Sequence, residues 1–417
     1  MGKSNRTNPK RMRVQFSLRF MFGAMTILAL LFIYAGWERE RCQKGDSAIA
    51  EMRRLGGCIH DDTHFSFPGH KRIRHRRSEW MKAICGNDDF RHIWSIWLTR
   101  KPNCPFNIAS VSTFPNLTEI VLSGPTVNDA MLLQWKSPKY LERLTIKGSP
   151  ITDKGLLPIL KSSQLEQLAV RNTRVSGSGL TPIGQLTLKR LYISNAEVND
   201  AGIKVFSQMT SLEELDISHN NMMTDAGIEC LANLHDLRVL RMEGTAITDS
   251  GCLPLSHLDR LQVLDLRATG ITDSGIVSLC KMKDLRYLDI SHTWASDTAL
   301  ECLSRSESLS AILLHDTCIT GQGLRVLASM PSLKHVEFDL SKATMGGLQH
   351  LEKCRGLEKI SIFGDVEVTE GLAASFQRIV AANQNLMVLE VWAPMSVEVF
   401  DKIRTAKPSL DFRSNPD

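Results

Sequence analysis

The sequence predicts an α/β fold built as a solenoid, a right-handed β-α superhelix with a parallel sheet on its concave side. Three observations lead there. The apolar phrase LxxLxL recurs from about residue 117 onward, as in Leu141/Leu144/Ile146, Leu212/Leu215/Ile217, Leu261/Leu264/Leu266 and Leu285/Leu288/Ile290. A second phrase follows each first one, read as ITDSG after Leu240 and as ITDSG again after Leu264. Its aspartate keeps time, falling at Asp225, Asp249, Asp273 and Asp297 in steps of 24 residues, a period that belongs to repeat architectures.

Each unit follows from its own pattern. LxL alternation makes a short strand, Thr-Asp offers a helix N-cap, and apolar residues three or four apart make a helix. One unit cannot fold alone, because a stripe such as Ile276, Leu279 and Met282 has nothing to cover it except its own strand and the neighbouring turns. Stacking therefore supplies the core.

With these phrases the chain resembles leucine-rich-repeat proteins, and more narrowly the variant that carries T-x-[IV]-T-D-x-G-[LI] after the strand, seen in bacterial and F-box-associated repeats. The resemblance covers roughly 70 per cent of the chain. Where the usual repeat has Asn after the strand, this chain mostly has Thr, at Thr126, Thr173, Thr245, Thr269, Thr293 and Thr317. The resemblance implies a ladder of these side chains bonding backbone groups of adjacent turns, a structural role.

Length in a solenoid is reach, so 417 residues need not mean several cores. A net charge of +5 spread over that length does not imply nucleic acid, and none is expected as a partner. Of the ten cysteines, Cys230 and Cys302 sit five residues after Asp225 and Asp297 beside leucines and read as small buried apolar groups. Cys252, Cys280, Cys318 and Cys354 show no ligand spacing. Cys42, Cys58, Cys85 and Cys104 precede the repeats, where exported proteins of this type often carry a disulfide-bonded cap; the three possible pairings stay open.

The N-terminal region reads as a membrane anchor. Residues 1–19 form a basic tail with Lys3, Arg6, Lys10, Arg11, Arg13 and Arg19, and residues 20–37 then run without a charge. That length suits a spanning helix, with Tyr34 and Trp37 placed as interfacial aromatics. A cleavable signal peptide is the rival, although no AxA-like site follows. The expected topology is a single-pass signal-anchor with a cytoplasmic N-terminus and exported repeats. Residues 38–116 are read as a juxtamembrane segment and small cap that includes a degenerate first repeat at Ile93, Ile96 and Leu98. Residues 117–417 are read as a solenoid of about 12 repeats. The order of basic tail, FSLRF, apolar segment, MRRLGG and WMKAICGNDDF before the repeats is similar to single-pass leucine-rich-repeat membrane proteins of planctomycete bacteria.

Two polar clusters stand in the cap. Lys71, Arg72, Arg74, Arg76 and Arg77 are either a solvated loop or a patch for anionic lipid or another polyanion. His60, Asp61, Asp62 and His64 carry metal-like residue types without a convincing zinc spacing, so no metal or cofactor is expected.

Strand positions that alternate with the apolar ones should line the concave face. They place Tyr192, Asp216, Arg241, Asp265, Arg267, Tyr287, Asp289, Phe363 and Trp392 there as candidate partner contacts, with aromatics as interface anchors. The face should run from basic early turns (Arg143, Lys147, Arg171, Arg190) to acidic later ones (Asp289, Glu337, Asp339, Glu390). No nucleophile elbow, phosphate loop or HExxH phrase occurs, so the chain is not read as an enzyme. The expected function is a membrane-anchored scaffold that binds a protein or peptide partner on its concave face. An F-box-like substrate-recognition adaptor is the alternative, disfavoured by the anchor, and an enzyme with a site in the cap comes last.

Overall fold

The structure is a computed structural model and describes residues 33, 36, 37, 39–41, 43–50, 58–61, 93–99, 108–181, 186–341 and 345–414. Its described residues hold a single 15-stranded sheet in strict chain order. β1 (Cys58–Asp61) pairs antiparallel with β2 (Ile93–Thr99). From β2 on, every pairing is parallel. The strands continue as β3 (Glu119–Ser123), β4 (Arg143–Lys147), β5 (Gln167–Arg171), β6 (Arg190–Ser194), β7 (Glu214–Asp216), β8 (Val239–Arg241) and β9 (Val263–Asp265). They end with β10 (Tyr287–Asp289), β11 (Ala311–Leu313), β12 (His335–Asp339), β13 (Lys359–Phe363), β14 (Val388–Trp392) and β15 (Asp411–Ser414).

Register follows the repeat, so equivalent positions stand side by side: Leu240, Leu264, Leu288 and Ile312 are consecutive partners. All four are fully buried, as are Leu261, Leu266 and Ile276. Leu279 and Met282 are buried beside them, so the helical stripe closes against the inner face of the sheet. Burial of each such side chain contributes about 1.5 to 3 kcal/mol, and it is available only once turns stack. β1 and β15 are the two edge strands, and β15 carries Asp411 and Arg413, charges that oppose edge-to-edge pairing there.

The contact that joins one turn to the next is made by the aspartate of the TDxG phrase. Each of Asp129, Asp153, Asp200, Asp225, Asp249, Asp273 and Asp297 opens a helix and accepts the backbone N–H and the hydroxyl of one Thr or Ser in the next turn, a helix cap in every case but Ser176. Thus Thr272 donates its backbone N–H (2.8 Å) and its hydroxyl (2.7 Å) to Asp249. Thr248 does the same to Asp225, and Thr320 to Asp297. The cap hydroxyl also accepts from its own helix, as Thr272 Oγ1 does from Ser274 N–H at 3.2 Å. Its donor and acceptor capacities are both in use.

The glycine of the phrase has a reason in the same contact. A Cβ on Gly275 would lie 2.5 Å from Asp249 Oδ1, and one on Gly323 would lie 2.3 Å from Asp297 Oδ1. Space for the preceding carboxylate therefore favours glycine. Ala299 holds the equivalent place while Asp273 still bonds Ser296, so a methyl there is compatible with the contact.

Two sequence expectations are corrected. The post-strand threonines do not form the implied ladder of donors to adjacent turns: the hydroxyls of Thr245, Thr269, Thr293 and Thr317 each donate to a carbonyl three residues back in their own turn, such as Leu266 for Thr269 at 2.6 Å, and that of Thr173 has no partner among the described residues. A threonine side chain is too short to cross. Asn220, in the same place, does cross, donating to Ile193 O and accepting from Ala196 and Val198 N–H in the preceding turn. The second correction concerns Cys302, which is disulfide-bonded to Cys280 one turn before, with Cα atoms 6.1 Å apart, rather than a buried free thiol. The helix positions of the two residues face each other across adjacent turns at an ordinary disulfide span. Among the described residues Cys252 and Cys354 are the buried free thiols, and burial pushes both up to about 12.

Most of residues 20–37 falls outside the described residues. The described ones among them, 33, 36 and 37, are helical, and Ile33 and Trp37 are exposed. Among the described residues no helix is long and apolar enough to cross a membrane. Cys42, Cys85 and Cys104 also lie outside the described residues.

The aspartate contact predicts a coupling. Asp249→Ala should cost about 2 to 3 kcal/mol by removing two charge-assisted bonds. Gly275→Ala should cost about 1 kcal/mol by crowding the same carboxylate, net of the better helix propensity of alanine. Denaturant melts of the full chain should show the double variant losing less than the sum of the two. Additive losses would mean that the glycine and the aspartate are not coupled.

Candidate functional site

The outer face of the sheet, away from the helices, is set by the alternate strand positions. Parallel in-register strands put one residue of each turn beside its counterpart at about 4.8 Å spacing, so rows of side chains shield one another laterally. The outcome is a face more enclosed than alternation alone suggests. Asp216 and Asp289 are buried, Asp289 fully. Tyr192, Arg241, Asp265, Arg267, Tyr287, Phe363 and Trp392 are half-buried.

At the early end, Arg171 stacks 5.5 Å over the Tyr192 ring and lies 3.8 Å from Asp216. The Tyr192 hydroxyl donates to Glu214 at 2.6 Å. Burial, then this carboxylate, pushes the Tyr192 phenol up to about 12.

The middle is organised by Arg267. It donates to Asp289 through Nη2 at 3.1 Å and Nε at 3.3 Å, and its Nη1 lies 3.7 Å from Glu243. Asp265 accepts the Arg267 backbone N–H at 3.0 Å. Burial nevertheless pushes Asp265 up to about 6; the Arg267 backbone bond opposes this, and the Asp289 charge adds to it. Burial also raises Tyr287, helped by Asp289 and Asp265, and it raises Glu337, helped by Asp289. Several acids thus share one guanidinium across the middle turns.

At the late end the strands' C-terminal tips enclose a pocket of about 520 Å³, lined by His292, His315, Asp316, Asp339, Ser341, Phe363, Gly364, Asp365, Val366 and Trp392. The rings form a row across turns, His292 to His315 edge-on at 4.9 Å and His315 to Phe363 tilted at 5.0 Å. Phe363 and Trp392 are register partners. His292 Nδ1 lies 3.1 Å from Asp316 Oδ2, and His315 Nδ1 lies 2.7 Å from Asp339 Oδ1. The Asp339 carboxylate also accepts the Asp316 backbone N–H. Among the candidates from the sequence, this pocket brings together Phe363 and Trp392 and leaves Tyr192, Asp216 and Arg241 at a distance along the sheet.

The residues that sequence reasoning passed over as a site are the two histidines and Asp316, Asp339 and Asp365. Their signal was positional. The residue two places after the third apolar position adopts left-handed backbone in Asn172, Asn195, His219, Ala268, His292 and Asp316 (φ 53, 47, 58, 53, 55 and 50°), a conformation glycine, Asn and Asp tolerate best. That turn throws His292 and Asp316 onto the rim of the pocket. The Lys71, Arg72, Arg74, Arg76 and Arg77 patch lies outside the described residues, as do Asp62 and His64. His60 and Asp61 are described only as backbone of β1. Among the described residues no group of three or more His, Cys, Asp or Glu is arranged to hold a metal ion.

The leucine-rich-repeat family model matches two segments, residues 208–232 and 261–280. No curated protein sequence matches the chain. Among solved structures, an internalin from Listeria monocytogenes is similar at 16% identity, over 79% of this chain and 83% of that one, with a TM-score of 0.47.

Asp265 carries a pH signature. Its folded value near 6 stands above the ordinary 3.8, so between those values the folded chain keeps a proton that the unfolded chain has released. Stability from this group therefore falls as pH rises from about 4 to 6, and the ionised carboxylate opposes folding above that window. Asp265→Asn should be more stable than the parent at pH 7.5, by about 1 kcal/mol once solvent screening is allowed for, and equal to it near pH 4. Melts showing the same difference at both pH values would contradict the assignment.

Proposed function

We propose that this chain is a membrane-anchored scaffold that binds a protein or peptide partner on the concave, outer face of its sheet and performs no chemistry itself. The observation that carries the reading is the graded outer face. Arg143, Lys147, Arg171 and Arg190 mark its early turns, Asp265, Asp289, Glu337 and Asp339 its later ones, and half-buried aromatics close its far end. Such a face offers orientation through charge and adhesion through aromatic anchors. The stacked turns beneath hold each row in register, so side chains can be spent on recognition. The anchor rests on the uncharged run of residues 20–37 and sets where the face is displayed, with the repeats exported.

Two measurements test the reading. The full-length chain should stay with the membrane fraction through high-salt and carbonate washing; release into the wash would remove the anchor from the account. A partner captured by the detergent-solubilised chain should be weakened at least tenfold when Tyr192, Arg241 and Tyr287 are changed together to alanine. Arg241→Glu alone guards against loss of folding and should act in the same direction. Loss of the partner only on neutralising Lys71, Arg72, Arg74, Arg76 and Arg77 would move binding to the juxtamembrane region.

A further inference from the structure

The pocket at the late end of the sheet has a chemistry narrower than that of the face as a whole. Among the described lining residues Asp316, Asp339 and Asp365 contribute three carboxylates, with no lysine or arginine beside them. The histidines answer part of that charge only when protonated. Acidic character continues beyond the rim, with Glu337 on the same strand as Asp339 and Asp289 two strands before. Burial holds Glu337 above the usual carboxylate range, so a cation arriving there relieves a charge that the fold carries at a cost.

The walls select among cations. Phe363 and Trp392 stand side by side in register and are half-buried, so each keeps part of its ring facing the cavity. Aromatic faces, tryptophan best of all, attract cations through their quadrupole. A planar guanidinium can lie on such a ring and still fork to a carboxylate, whereas an ammonium is a point charge with a tighter hydration shell. The volume, about 520 Å³, is in the range of sites that enclose small organic groups. It exceeds what one bare cation needs and leaves room for the carbon stem that carries it.

We propose that this pocket receives the guanidinium of an arginine side chain from a polypeptide partner lying across the outer face, with Asp339 and Asp316 as its carboxylate partners and Phe363 and Trp392 as its stacking walls. The proposal rests on the scaffold reading above and names the chemistry that one end of that face recognises. Asp365, exposed at the mouth, adds attraction at the entrance.

The test uses the full-length chain in detergent and fluorescein-labelled nonapeptides of sequence GSGSRGSGS, with the arginine kept or replaced by citrulline, lysine or glutamate. Anisotropy at physiological salt should show the arginine peptide binding at least tenfold tighter than the citrulline peptide, which keeps the shape and loses the charge. Lysine should fall between, and glutamate should not bind. Asp339→Asn and Trp392→Ala should each abolish the preference for arginine over citrulline. Asp365→Lys, an exposed change with little risk to folding, should reduce it several-fold, and melting curves should confirm that each variant is folded. Equal binding of arginine and citrulline peptides, lysine equal to arginine, or a preference untouched by all three variants would overturn the proposal. If the preference is absent while the Tyr192/Arg241/Tyr287 variant still loses a captured partner, the pocket assignment alone falls. If the preference is present and that variant keeps its partner, the pocket stands and recognition along the rest of the face falls.

Discussion

A carboxylate that opens the helix of one turn and bonds the turn after it, repeated from Asp129 to Asp297, is the contact on which the rest of this solenoid depends. Leucines alone would bury surface in many registers, because apolar attraction has no direction. Asp249 accepting both the N–H and the hydroxyl of Thr272 does have direction. It places the next helix start at one height, and the strand that follows inherits that height. The aspartate also stands at the first position of its own helix, where the macrodipole favours negative charge. One side chain therefore stabilises its own helix and positions the one after it, and Gly275 leaves the room that this needs.

A fixed register has consequences on the opposite side of the sheet. Because equivalent residues stand side by side, charges cannot spread apart as they would on a loop, and the outer face becomes a set of rows with shared partners. Arg267 serves Asp289 directly and faces Glu243, while Asp265 is left with little more than a backbone N–H and titrates high. Acidic rows held this way keep unmet attraction for a cation. At the late end the same stacking lines up His292, His315, Phe363 and Trp392 into one wall.

Much of this could be read from the chain. The LxxLxL and TDxG phrases specify strand, cap and helix, and their common period specifies stacking, so Leu264 and Ile276 are buried where the pattern puts them. What the pattern could not decide was which polar position reaches the neighbouring turn. Thr269 and Asp249 both recur at the same period, and only geometry shows that Thr269 turns back on Leu266 while Asp249 reaches forward. Burial of the outer row was hidden for a related reason. Alternation tells which face a residue like Asp289 is on, but its enclosure comes from Arg267 and the adjacent strands, which are distant in sequence. The pocket was half legible. Phe363 and Trp392 stand out as aromatics on a polar face, whereas His292 and Asp316 come into it through a left-handed backbone position that composition does not announce.

Adjacent turns are held together by the aspartate contacts and not by the apolar core alone. Native-state hydrogen exchange of the Thr248 and Thr272 backbone amides tests this most directly, since both lie in surface connections yet donate to Asp225 and Asp249. These amides should exchange as slowly as those of the adjoining strands β8 and β9, and Asp249→Asn should speed Thr272 while leaving Thr248 slow. Exchange of both amides at the rate of open loops in the parent chain would contradict it.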